Sequence, residues 1–207
     1  MKALLLLALA SGPVLGPPGV STWCIDPAHT STEFSAQHLA IATVRGAFGR
    51  TTGTIRLDER DLRRSSVEAE VDVRTIDTRV AERDQDLKSE QFLDVARYPT
   101  ITFKSTQVEK AGENRLRVAG ELTMKGTTRP VVFDVTYSPM AVTGVGGETR
   151  RGFSGTFQVS RRAFGLSLSK AAEAGPLVGD EITITVDAEA VREEGPSPDP
   201  AELPPAK

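Results

Sequence analysis

A strict two-residue alternation constrains this chain more than any other feature. In Val67-Glu68-Ala69-Glu70-Val71-Asp72-Val73 every odd position is apolar and every even one acidic. Ile182-Thr183-Ile184-Thr185-Val186-Asp187-Ala188-Glu189-Ala190 repeats the pattern, and so do the stretches around Val131–Val135 and Phe153–Val159. Successive side chains of a strand point to opposite faces, so the pattern predicts antiparallel strands with one dry face and one wet face. Turn residues separate the alternating runs: Gly49 to Gly53, Gly112-Glu113-Asn114, Met124-Lys125-Gly126, and the glycines at 144, 146 and 147. The expected strands are Ser31–Leu39, Val44–Phe48, Thr54–Leu57, Ser66–Val73, Thr100–Lys110, Arg115–Thr123, Thr128–Pro139, Arg151–Ser160 and Asp180–Val191, close to an eight-stranded count. One segment breaks the rhythm. Val80 to Leu93 has helix formers and no Gly or Pro, so it predicts one or two short helices ending before Tyr98-Pro99.

A sheet of alternating strands must hide two edges, and closure into a barrel does so completely. The expected fold is therefore mainly β: an eight-stranded antiparallel barrel with one or two short helices covering an end. The interior of such a barrel either fills with side chains or holds one small ligand. The inward set here is rich in slim residues such as Val67, Ala69, Val71, Val118 and Ala188, and aromatics make up only 5% of the chain. That balance favours a lined cavity over a filled core.

The two ends read differently from the body. Residues 1–22 carry one charge, Lys2, followed by the apolar run Ala3 to Ala10 and a Ser/Gly/Pro stretch, the order of an export signal. The run is too short for a bilayer span, which needs about 20 residues. Residues 193–207 hold five of the 13 prolines and are expected to be a disordered tail. The domain between them is expected over residues 23–192, in a periplasmic or secreted protein. A net charge of -3 offers no basic excess for a phosphate backbone, which argues against nucleic acid. One cysteine, Cys24, excludes an internal disulfide, and two histidines exclude a three-histidine zinc site.

No nucleophile elbow or phosphate loop occurs in the sequence, and the carboxylates fall on wet strand faces or in the charged helical block, so an enzyme is not expected. His29 and His38 would need a further ligand, such as Asp26 or Glu33, to hold a metal. A hydrogen-bonded rim histidine is the simpler reading, and neither metal nor cofactor is expected.

Several stretches in order resemble the YceI-like family of exported, lipocalin-like barrels that bind polyisoprenoid lipids. They are Trp23 to Thr30, Phe34 with Gln37-His38-Leu39, Val44 to Phe48, the central block Ala81 to Thr106, Gly120 to Val131, Phe164-Gly165-Leu166 and Gly179 to Ile182. The Pro-rich tail lies beyond the usual end of the family, and residues 168–178 look longer than its pattern. The resemblance implies an exported protein that holds a long apolar isoprenoid, of polyprenyl phosphate or isoprenoid quinone type, for transport or storage. The alternative is a non-enzymatic structural or stress-response barrel with a self-filled core. The cavity lining is expected from Phe34, His38, Phe48, Val67, Ala69, Val71, Val73, Phe103, Val118, Phe133, Val135, Phe153 and Phe157. A phosphate head group would call for a cation at the entrance, with Arg45, Arg129 and Arg161 as candidates. Transient membrane contact and a homodimer are both compatible with this reading.

Overall fold

The computed structural model describes residues 19–193 except 169–172, 174 and 176. The expected leader, apart from its last few residues, and the expected Pro-rich tail beyond 193 lie outside the described residues.

The strands are β1 (Val20–Ile25), β2 (Ser31–His38), β3 (Ala42–Phe48), β4 (Thr51–Asp58), β5 (Ser66–Asp72), β6 (Ile76–Asp77), β7 (Thr100–Gly112), β8 (Arg115–Met124), β9 (Thr127–Tyr137), β10 (Val142–Thr143), β11 (Thr149–Ser160) and β12 (Val178–Arg192). One helix, α1 (Ala81–Lys88), lies between β6 and β7. All pairings are antiparallel, and β11 against β12 closes the sheet on itself.

Three lanes of the barrel are each built from two strands end to end. β1 and β2 lie along one flank of β12, with Ile25 opposite Ala190 and Ser31 opposite Asp187. β4 and β3 form the next lane, with Ile55 opposite Trp23 and Gly46 opposite Phe34. β5 and β6 form the third, with Val71 opposite Thr51 and Ile76 opposite Phe48. β7, β8, β9, β11 and β12 complete eight lanes. The short β10 pairs with the start of β11 beside the ring, Val142 opposite Arg150.

The tight turns follow local chemistry. β8 and β9 meet through Lys125 (φ 48°) and Gly126 (φ 70°), the left-handed pair of a two-residue hairpin. A Cβ on Gly126 would lie 2.7 Å from the Tyr98 ring, so glycine is required there twice over.

Among the longer strands, β1 is the one that the alternation did not reveal. It begins at Val20, opposite Asp58, so the paired body starts inside the segment read as leader. The helical block is also shorter than expected. α1 stops at Lys88, because Ser89 turns extended and its hydroxyl bonds the Asp86 carbonyl at 2.6 Å. Residues 89–98 then fold as turns, with the Leu93 and Tyr98 amides bonding the Leu87 and Asp94 carbonyls.

Two apolar clusters cap the interior. Trp23, Leu57, Leu116, Phe153 and Ala190 pack at one end. There Arg151 lies buried between the Trp23 and Tyr137 rings, 5.3 and 5.8 Å from their centroids, and donates to Glu59 at 2.7 Å. Val73, Ile76, Leu93, Met124, Phe164 and Leu166 pack at the other end, beneath α1.

Candidate functional site: an apolar barrel cavity

Alternation in a closed barrel leaves every second side chain inside, and here those side chains do not fill the space. A cavity of about 850 Å³ remains, inside the range of roughly 300–1,000 Å³ typical of ligand pockets. Its walls are mostly Val, Ile, Leu, Ala and Phe. Aromatic rings make two pieces of wall. Phe103, Phe133 and Phe157 run as a series, 5.3 Å and then 4.5 Å between centroids, and Phe34 leans on Phe48 at 5.4 Å. Gly46 makes room for the Phe34 ring, because a Cβ there would collide with it.

The threonine hydroxyls inside the wall are satisfied within the protein. Thr32 and Thr51 share a hydrogen bond at 2.8 Å, and the Thr78 hydroxyl donates to Asp84 at 2.6 Å. Their polar atoms are thus turned to one another, which leaves an apolar lining.

The cavity reaches solvent at the α1 end. The lining residues that are also exposed are Gln37, Arg56, Val80, Glu82, Asp86, Ser89, Gln91, Ser167 and Leu177. All but Arg56 belong to α1 and its flanks, the end of β2, or the approach to β12. Leu87 and Phe92 project from the helical segment into the same space.

The structure places Phe34, His38, Phe48, Val67, Ala69, Val71, Phe103, Val118, Phe133, Val135, Phe153 and Phe157 around this cavity. Val73 is a correction. The alternation stops at Asp72, whose carboxylate accepts from the Arg74 amide and starts a 3-10 turn over Val73–Thr75. Val73 is consequently buried among Ile76 and Leu93 beneath the cavity rather than lining it.

Of the three head-group candidates, Arg45 and Arg161 are corrected, while Arg129 stands outside the cavity lining. Arg45 is exposed on β3 between the lining residue Val44 and Gly46, so its side chain points away from the cavity. Arg129 is exposed on β9 and donates to the neighbouring Thr128 carbonyl. Arg161 does reach the cavity wall and is 1% exposed. Its donors bond the carbonyls of Gly179, Leu166 and Val178 and both Glu173 oxygens, at 2.6–3.1 Å. All five guanidinium N–H groups are thereby engaged, and none is left for a head group. Arg161 is a clamp that ties the approach to β12 onto the end of β11. Its bond to Glu173, with the Leu168 amide, holds that carboxyl at about 2.

Sequence reasoning missed lining residues of two kinds. Ile182, Ile184 and Val186 alternate along β12 in line with the inward Ala188, as plainly as those of β5, so their signal was present. Leu87, Phe92 and Ile76 belong to the helical block and a two-residue strand, where no periodicity marks an inward face.

The histidines separate. His38 lines the cavity near its mouth, while His29 is exposed at the corner between β1 and β2. Its Nδ1 lies 2.9 Å from Asp26, and Asp26, His29 and Glu189 lie close enough to share an ion. The Arg150 guanidinium already occupies that position, bonding Asp26 at 2.8 Å, Glu148 at 2.6 Å, and Glu189. His29, Arg150 and the Ala28 amide together hold the Asp26 carboxyl at about 2. The cluster therefore works as a charged staple at the β1–β2 corner.

The model of the YceI-like domain matches residues 23–190. The chain belongs to the YceI-like family. A UPF0312 protein of Vibrio cholerae is 36% identical over 141 residues, covering 68% of this chain and 74% of the relative. Among solved structures, BcnA of Burkholderia cenocepacia superposes with a TM-score of 0.71 at 23% identity, over 80% of this chain and 98% of that one. A polyisoprenoid binding domain from Saccharophagus degradans, implicated in plant cell wall breakdown, superposes with a TM-score of 0.64 at 8% identity, over 84% of this chain and 99% of that one. At these identities the structural likenesses establish the shared barrel fold.

Proposed function

We propose that this YceI-like protein is exported and holds a long apolar isoprenoid inside its barrel, for transport or storage. The observation that carries the reading is the cavity of about 850 Å³, apolar along its walls and open at one end. A barrel that served only as a structural module would have no use for that much unfilled apolar space, since an empty cavity costs stability. Transfer of each CH₂ from water contributes about 0.8 kcal/mol, so every five-carbon prenyl unit contributes roughly 3–4 kcal/mol before ordering costs. Chain burial alone can therefore support tight binding, without head-group recognition.

The polyisoprenoid binding of the Saccharophagus degradans domain, on the same barrel fold, supports this ligand class. Because Arg161 is fully engaged and Arg45 faces away, the reading favours a lipid held by its chain. An isoprenoid quinone fits that description without a charged head. Export is supported by the Lys2/apolar/small-residue order of the N-terminus.

Native mass spectrometry with lipid extraction tests the ligand. A co-purifying isoprenoid, or saturable uptake of a fluorescent prenyl probe, is the expected result. A protein with neither, in a state shown to be folded, overturns the proposal.

A further inference from the structure

Four of the eight large hydrophobic residues exposed on the described residues stand around the cavity mouth: Leu39, Ile41, Val80 and Leu177. Leu39 and Ile41 sit at the tip of the β2–β3 hairpin, and Ile41 is 84% exposed. The tip is tied to the mouth by the Leu39 amide, which donates to the Leu177 carbonyl at 3.2 Å. Val80 and Leu177 line the cavity as well as facing solvent, so the apolar surface runs without a break from outside to inside.

The hairpin tip contradicts its own turn chemistry. Leu39 (φ 53°) and Ala40 (φ 57°) are the two central residues, and the Ile41 amide closes the turn on the His38 carbonyl. Two successive left-handed residues make the hairpin turn that favours Asn-Gly. Leucine and alanine there carry backbone strain and expose an apolar side chain to water. A local rule broken with no gain in folding marks a place where another requirement operates.

We propose that this mouth end is a docking surface for a lipid bilayer, with the β2–β3 tip entering the interface. The inference rests on the lipid-holding role proposed above. A long isoprenoid moving between membrane and barrel would cross water unless the mouth abuts the bilayer, and the patch is continuous with that mouth. A single projecting hairpin suits penetration into an interface. Four side chains around an opening are too little surface for a stable dimer, which buries about 800 Å² per partner.

Charge points to apolar docking. Arg161 and Arg162 are both engaged by Glu173, and Lys125 by the Glu90 and Gln91 carbonyls. Along residues 79–88 on the same rim, Glu82, Asp84 and Asp86 balance Arg79, Arg83 and Lys88, so no basic excess faces the bilayer there. Binding should therefore need no anionic lipid and should vary little with salt.

The test is co-sedimentation of the full chain with phosphatidylcholine vesicles, alongside uptake of a prenyl probe presented free in solution. Ile41→Asp should lower vesicle partitioning about tenfold or more. Leu39→Asn combined with Ala40→Gly should also lower it while leaving thermal stability equal or higher, because the turn gains its preferred residues. Both variants should still take up the soluble probe. Val145→Asp, fully exposed on the loop between β10 and β11 at the opposite end of the barrel, should bind vesicles like the parent. Parent-like partitioning in both mouth variants, equal loss in Val145→Asp, or a mouth-dependent dimer with no vesicle binding would each overturn the docking surface. Failure of the unmodified protein to take up the probe would instead overturn the lipid-holding role.

Discussion

Replacing Phe133 by serine should weaken both the barrel and its hold on an apolar chain, while the same change at Asp134 should do neither. Phe133 lines the cavity, with its ring 5.3 Å from Phe103 and 4.5 Å from Phe157. Fully burying such a side chain is worth about 1.5–3 kcal/mol, and each aromatic pair adds roughly 0.5–1.5 kcal/mol. The ring is only half-buried and already borders open space, so its removal enlarges a cavity rather than creating a sealed one. The expected loss is about 2–3 kcal/mol, near the low end of aromatic truncations. A prenyl chain lying on the ring would lose about 1–1.5 kcal/mol of contact, close to tenfold in Kd. Asp134 faces outward to Arg117 at 3.0 Å, an exposed pair that contributes little. Urea denaturation reports the stability, with an unchanged m value as the check on two-state behaviour. Titration with a fluorescent prenyl probe reports the affinity. Equal losses for Phe133→Ser and Asp134→Ser would refute the assigned register, since a shift of one residue exchanges the two faces.

Two further outcomes follow from single contacts. Glu173 and Asp26 are both held at about 2 in the folded protein, against ordinary values of 4.5 and 3.8. A depressed carboxyl contributes stability that is complete above its unfolded value and lost as pH falls through the folded one, so thermal midpoints should be flat above about pH 5 and fall between pH 4.5 and 2. Glu173→Gln should flatten part of that fall, and identical acid profiles for parent and variant would show that the Arg161 clamp contributes nothing. Gly126→Ala should cost about 1–3 kcal/mol, because it combines a left-handed backbone with a Cβ against the Tyr98 ring. A change below about 0.5 kcal/mol in chemical denaturation would argue against that close approach.

Most of the barrel was legible in the chain because strand alternation is a local property. A residue in Val67–Val71 or Ile182–Ala190 declares its face by the parity of its position, and closure then sends one parity inward. The lining from β5, β7, β9 and β11 followed directly. Parity fails wherever the backbone leaves the strand. Val73 lost its inward place because Asp72 bonds the Arg74 amide and turns the chain one residue earlier than the pattern suggests. β1 was hidden because Val20–Ile25 is short and adjoins a segment with the composition of a leader.

What only the tertiary structure decided concerns groups far apart in the chain. Arg161 has the sequence character of a solvent-facing turn cation, yet it is buried, because Glu173 and three carbonyls from residues 166–179 converge on it. Arg150 meets Asp26 across 124 positions and takes the place that a metal would need beside His29. The unfilled volume is likewise a tertiary fact. The sequence determined which side chains face inward, through a period that the backbone imposes residue by residue. Whether those side chains meet in the middle depends on the width of the closed ring, which is set by the register of all its lanes at once.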